Sequence, residues 1–296
     1  MHSYVAYGLG IHSSLHLPEL VAQPAAADIV IRSGRIDRPL PDVGLEPVYV
    51  HATPAEVLYW SSRIGWMLIR NGCEIVIEPR EGVEERILRL YILGPALGIV
   101  LHQRNDLVLH GSVVTIGSGA VAFLGQPGQG KSTLAAALNR RGHSVVADDV
   151  ADVRFQDGLP LLFPGFPYLK LSDEAAAAVG HKVESGTQGR IAGEKSFLRT
   201  ADSLLQAPLP LHRIYVLNDG EMNEIRPLQP QEALMQLVRH TYVILLISPT
   251  GASASHFNQC TELARRVPVC HLTRRRTFEA LEDAAYLIEQ DVMRAG

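Results

Sequence analysis

The chain lacks paired cysteines, basic clusters and long apolar runs, and each absence removes a class of function. Its 296 residues include three cysteines, Cys73, Cys260 and Cys270, with no CxxC spacing. Such an odd set argues against a disulfide framework or a zinc site and suits a reducing compartment. Each cysteine is expected to be a small buried hydrophobe. The net charge is −4, and the longest basic run is Arg274-Arg275-Arg276. Nucleic acid as the main partner is disfavoured, because binding a phosphate backbone needs clustered Lys and Arg. The arginine run reads by default as a solvated surface patch, with binding of an acidic peptide or a phosphate as the less favoured reading. Apolar stretches stop well short of the ~20 residues that a membrane helix needs. The opening "MHSYVAYGLGIHSSLHL" has no basic start followed by an apolar run, so no secretory signal is expected. The expectation is a cytoplasmic protein with no membrane and no nucleic-acid partner. No internal repeat or low-complexity linker stands out.

What the chain has in quantity is apolar residues, 47% against 20% charged, which suits a globular fold with a real core. Residues 1–104 form the first expected region. "YVAYGLGI", "ADIVIRSGRI", "EPVYVHA" and "CEIVIEPREG" are rich in Val, Ile and Tyr and punctuated by Gly, Pro and Asp, which predicts short strands. A packing helix follows over 82–104, where Ile87, Leu90, Leu93 and Leu97 recur at helical intervals. Gly94-Pro95 is expected to kink or split it.

Residues 105–296 form the second expected region. Strands and helices alternate along it, which gives an α/β class. "LVLHGSVVTIG" and "VAFLG" read as strands, "STLAAALNRR" as a helix and "HSVVADDV" as the next strand. Gly142 is placed to stop the helix in the left-handed conformation. "PLHRIYVLND" and "VPVCHL" read as strands, and "PQEALMQLVRHTYVILL", "SHFNQCTELARR" and "TFEALEDAAYLIEQDV" as helices. Residues 179–197 are the most loop-like segment.

The chemistry concentrates near the start of this region. "GQPGQGKS" (125–132) fits G-x-x-x-x-G-K-[ST] without a mismatch and lies between an apolar strand and a helix. Gly125, Gly128 and Gly130 allow a tight turn that aims backbone N–H groups at phosphate oxygens, with Gln126, Pro127 and Gln129 between them. Lys131 is expected at the terminal phosphates and Ser132 on Mg²⁺. Thr133 follows in the helix, whose positive end faces the same anion. Asp148-Asp149 closes the next apolar strand. After a phosphate-binding loop, one carboxylate can hold Mg²⁺ and the other can take a proton from an incoming hydroxyl. Neighbours on a strand point to opposite faces, so both reach the phosphate only if the strand ends or bulges there. His110 sits on the strand before the loop. A lone histidine is more often structural; here it can orient or tune the Asp148 carboxylate if the two strands are neighbours. The other histidines show no metal-ligand spacing.

The segments "VLHGSVV" (108–114), "GQPGQGKS" (125–132) and "GHSVVADDVADV" (142–153) together resemble the core of the HPr kinase/phosphorylase family. That family carries a histidine–small–serine strand, a phosphate-binding loop and a "GH-x-(V/L)-(V/I)-ADD-x-V" strand in this order and spacing. The resemblance implies an α/β P-loop fold of the HPr kinase and phosphoenolpyruvate carboxykinase type, with a β-rich N-terminal region. It implies ATP and Mg²⁺ as cofactors, Asp148 as catalytic base, Asp149 as its neighbour near the metal and His110 as the histidine beside the base. Lys131 and Ser132 keep their loop roles, so Ser132 and Asp149 are the implied metal ligands.

Two departures bear on the acceptor. Thr133 stands where the family usually has Glu after "GKS", and the downstream "E-I-R-G-L-G" signature, which supplies a metal-binding glutamate and part of the phosphorylase function, is missing. Segments 90–104, 163–171 and 208–217 resemble HPr-kinase-like proteins found beside lasso-peptide biosynthesis genes, which phosphorylate a serine near the C-terminus of a precursor peptide. The resemblance implies that acceptor, with an HPr-type protein kinase and a non-catalytic nucleotide-binding regulator as alternatives. Family members are often homo-oligomers, although no feature of the sequence marks an interface. Glu194 is a candidate replacement for the missing metal-binding glutamate, and Lys195 for steadying the transferred phosphoryl group. Lys170 is a further candidate. For Glu194 and Lys170 an exposed loop charge is the commoner reading.

Overall fold

The computed structural model describes residues 1–37, 47–180, 196–200 and 207–295. The chain forms two compact units. Met1–Val108 and Tyr242–Gln259 make the first; Leu109–Thr241 and Cys260–Gly296 make the second. The sequence predicted a boundary at 104/105 and no return of a later segment to the first unit. Among the described residues no helix is long and apolar enough to cross a membrane.

In the first unit eight strands pair into one sheet: β1 (His2–Ala6), β2 (Leu9–Ser13), β3 (Val21–Ala22), β4 (Ile29–Ser33), β5 (Val48–Ala52), β6 (Glu56–Ser61), β7 (Gly65–Arg70) and β8 (Glu74–Pro79). Their order is β3-β1-β2-β4-β8-β7-β6-β5. Met67 lies opposite Ile77, and Ile69 opposite Ile75, so one sheet face is aliphatic and fully buried. The other face carries Trp60, Trp66 and Leu68. The expected packing helix is split as its Gly-Pro pair predicts. Helix α1 (Glu85–Tyr91) runs into a π turn at Ile92–Ala96 that contains Pro95, and α2 (Leu97–Gln103) continues from it. A wider turn accommodates the missing proline N–H without ending the element. The returning segment is tied to α2 by His102 Nε2, 2.8 Å from Thr250 Oγ1. The long helix expected from 230 stops early. Its last part is a short 3₁₀ turn, Ile244–Leu246, in the first unit.

The second unit is a mixed sheet with helices. Its strands are β9 (Leu107–Ile116, whose first two residues belong to the first unit), β10 (Gly119–Leu124), β11 (Val145–Gln156), β12 (Leu159–Phe163), β13 (Tyr168–Leu171), β14 (Ser196–Arg199), β15 (Leu209–Asp219), β16 (Glu224–Pro227) and β17 (Val269–Arg274). The main order is β10-β9-β11-β12-β15-β17-β16, and β10 also pairs with β15, which closes a ring of pairings. β10, β15 and β17 run parallel. β13 and β14 form a separate antiparallel pair.

The helices are α3 (Lys131–Arg140), α4 (Asp173–Ala178), α5 (Pro230–Arg239), α6 (Ser253–Arg266) and α7 (Leu281–Ala295). Gly142 ends the α3 region at φ +98, and its N–H donates to Asn139 O at 2.9 Å. Leu134, Leu138, Ala284, Ala285 and Ile288 bury α3 and α7 over Val121, Phe123 and Tyr215. Cys260 and Cys270 are buried as expected, but Cys73 is exposed, because it lies in the tight turn between β7 and β8.

Candidate functional site

The loop from β10 into α3 forms one wall of a cleft of about 450 Å³ in the second unit. Gly130, at φ +79, is the residue that turns the chain into α3. Pro127, Gly128, Gly130, Lys131, Ser132 and Thr133 line the cleft, whereas Gly125, Gln126 and Gln129 support the loop from outside its lining. Lys131 is 7% exposed, and its ammonium donates to Gly125 O at 2.8 Å and to Gln126 O at 3.3 Å. The Gln129 side chain accepts from the Gln126 N–H at 2.5 Å, which braces the turn.

The opposite wall holds both aspartates. Of the two alternatives that the sequence left open, an end or a bulge, the strand does not end at them: β11 runs on to Gln156. Asp149 instead takes φ +81, a left-handed value inside a strand. That single rotation breaks the alternation of faces and lets both neighbouring carboxylates line one cleft.

Asp148 is buried, and its carboxylate is held by donors from three residues, Ser112, Lys170 and Ser132. Ser112 Oγ donates to Oδ1 at 2.5 Å, and the Lys170 N–H donates to Oδ2 at 2.7 Å. Burial pushes the Asp148 carboxyl above the ordinary aspartate value. The Lys170 N–H, Ser112 and Ser132 donors oppose that push, and the Asp149 charge adds to it.

Asp149 faces a different set of groups. Lys170 Nζ donates to its Oδ2 at 2.6 Å. His110 Nδ1 lies 3.2 Å from its carbonyl oxygen and 3.4 Å from its Oδ1. His110 was expected to orient Asp148; it faces Asp149, and Ser112, two residues on along the same face of β9, reaches Asp148. Burial and the Lys131 charge push the His110 ring below the ordinary histidine value, while the Asp149 carboxylate pulls it up. His240 is pushed the same way. Burial first, and the Lys131 charge second, push it down to about 4.

Two further expectations are corrected. Lys170 is not an exposed loop charge. It lies on β13 with its side chain 15% exposed; its ammonium donates to Asp149 and its backbone N–H to Asp148. The arginine run is not a solvated patch throughout. Arg274 is 4% exposed, and its Nη2 donates to Gln129 O at 2.6 Å, while Arg276 Nη2 donates to Gly128 O at 2.6 Å. β17 pairs parallel with β15 as far as Arg274, which delivers these side chains beside the loop. Glu194 and Lys195 lie outside the described residues. Ser112 carried no chemical signal beyond its position two residues after His110, and the sequence reading did not single it out.

The donor set around Ser132 and the two aspartates is all oxygen, the chemistry that suits Mg²⁺. Among the described residues no cluster of three or more His, Cys, Asp or Glu could hold a metal alone.

A comparison with protein-family models finds no match, and neither does a comparison with curated proteins. Among solved structures, the chain is similar to the HPr(Ser) kinase/phosphatase from Coxiella burnetii. The identity is 15%, the match covers 64% of this chain and 99% of that one, and the TM-score is 0.35.

Proposed function

We propose that the protein is an ATP-dependent kinase that phosphorylates a serine hydroxyl of a ribosomally made, lasso-type precursor peptide. One observation carries the phosphoryl-transfer part of this reading: a glycine-rich Lys-Ser loop and a buried, hydrogen-bonded aspartate line one cleft. Binding alone would need the loop but not the carboxylate. The peptide acceptor rests on the sequence resemblance.

In this reading the loop N–H groups and Lys131 hold the terminal phosphates of ATP. Ser132 and Asp149 would ligate Mg²⁺, which when bound neutralises charge on those phosphates. Asp148 accepts the serine proton. Burial raises its basicity, and Ser112 and the Lys170 N–H fix its direction, so proton transfer and positioning act together. The Lys170 ammonium keeps the second carboxylate from adding a full negative charge beside the transferred group.

The test is to incubate the full chain and Mg-ATP with a serine-containing precursor peptide and, separately, with HPr, then weigh each by mass spectrometry. A gain of one phosphate on the peptide alone supports the reading, and phosphorylation of HPr alone overturns the acceptor. Asp148→Asn is expected to keep nucleotide affinity within about twofold and to lose transfer by about 10²–10⁴. Wild-type transfer by Asp148→Asn would remove the aspartate from its role.

A further inference from the structure

A loop that turns its N–H groups toward an anion turns carbonyls the other way, and those carbonyls need donors. At Gly128 and Gln129 the donors are two guanidiniums from the end of β17. Arg276 Nη2 reaches Gly128 O and Arg274 Nη2 reaches Gln129 O, each at 2.6 Å. Arg274 also reaches Arg275 O through Nη1 at 3.4 Å, and its buried Nε has no hydrogen-bond partner. The carboxylate whose charge reaches Arg274 is Asp219, but Asp219 forms its ion pair with Arg276, at 3.7 Å. Arg274 is therefore a buried cation pressed on the loop rather than on a carboxylate.

The loop is shaped to receive it. A Cβ at Gly130 would stand 2.5 Å from Arg274 Nη2, so this glycine serves the guanidinium as well as its own φ of +79. A neutral donor would satisfy one carbonyl at far lower desolvation cost. Two guanidiniums on consecutive carbonyls add positive charge behind the loop and fix its outer edge.

We propose that Arg274 and Arg276 are positioning residues for nucleotide phosphates. They clamp the outer carbonyls of residues 128 and 129, which keeps the inner N–H groups aimed into the cleft, and they lend the loop their charge. The inference rests on the nucleotide-binding reading above.

The test titrates Mg-ATP and Mg-ADP into the full chain by calorimetry, for wild type, Arg276→Met, Arg276→Lys and Arg274→Lys, with thermal midpoints alongside. The Arg276 side chain is 60% exposed, so Arg276→Met is expected to fold like wild type. Its Kd for both nucleotides is expected to rise at least tenfold with an unchanged midpoint, and Arg276→Lys to recover part of the loss. In the transfer assay KM for ATP rises in the same proportion, while kcat changes less than threefold. Arg274→Lys keeps the charge but loses the planar fork and is expected to weaken both nucleotides as well. Wild-type affinities in both Arg276→Met and Arg274→Lys would overturn the clamp. A wild-type chain that binds neither nucleotide would instead sink the kinase reading, and the clamp with it.

Discussion

At Asp149 the chain takes φ +81, which costs an L-residue other than glycine on the order of 1 kcal/mol. The return is chemical: Asp148 stays inside a donor cage while Asp149 swings to Lys170 and His110. The cage can be tested at Ser112. Its hydroxyl stabilises the charged form of Asp148, so Ser112→Ala is expected to raise the Asp148 carboxyl further above its ordinary value. A base must be unprotonated to act. Transfer is therefore lost as pH falls through the raised value, and the acid limb of the pH–rate profile moves to higher pH in Ser112→Ala. The expected displacement is about one unit, the worth of one hydrogen bond to a charge. An unmoved acid limb would separate Ser112 from the base. The aspartate pair, the loop and His110 were legible as a set because their spacing carries them. The partners were not. Lys170 stood as a candidate with no assigned partner and Ser112 was not singled out; the pairing of β9 with β11 and the placement of β13, which are long-range facts, bring both to the aspartates.

Elements decide how steadily the loop is held. Helix α3 begins at Lys131, and its far end is pinned to α7. Glu289 accepts from Arg141 Nε at 2.8 Å and Nη2 at 2.6 Å, and lies 2.9 Å from His143 Nε2. These donors, Arg141 first, hold the Glu289 carboxyl down at about 2. A depressed carboxylate contributes stability above its unfolded value of 4.5, and that stability is lost as pH falls from 4.5 toward 2. Glu289→Gln is expected to cost about 1–2 kcal/mol at neutral pH, with the solvent-facing side of Arg141 limiting the effect. Urea unfolding at pH 7 checks this, and the gap between variant and wild type should close near pH 2. Helix α3 itself was readable from its apolar spacing and Gly142. Strands β6 and β7 were not, because Leu58, Trp60, Trp66 and Leu68 give the sheet a second apolar face and erase the alternation that marks a half-buried strand.

At the scale of the molecule, four histidines among the described residues share one direction of titration, three of them buried and His110 half-buried. His102 and His256 in the first unit, and His110 and His240 in the second, are all pushed below 6.5, by burial first in every case. The folded chain keeps these rings neutral at pH values where the unfolded chain protonates them. Stability is therefore full above about 6.5 and declines as pH falls through that value, because the unfolded state then binds more protons. His240 continues to contribute down to about 4. Each neutral histidine is worth up to about 1.4 kcal/mol per pH unit inside its window. Asp148 works in the opposite sense, since its raised carboxyl binds a proton in the folded state first. The rings and the carboxyl therefore pull stability in opposite directions as the pH falls. Denaturant midpoints are expected to fall between pH 7 and pH 5, and His240→Gln to reduce that fall, after allowance for a lower midpoint at pH 7 from the changed side chain. Midpoints that stay level, or rise, over that interval would mean that the histidines protonate without unfolding, and that burial does not hold them neutral.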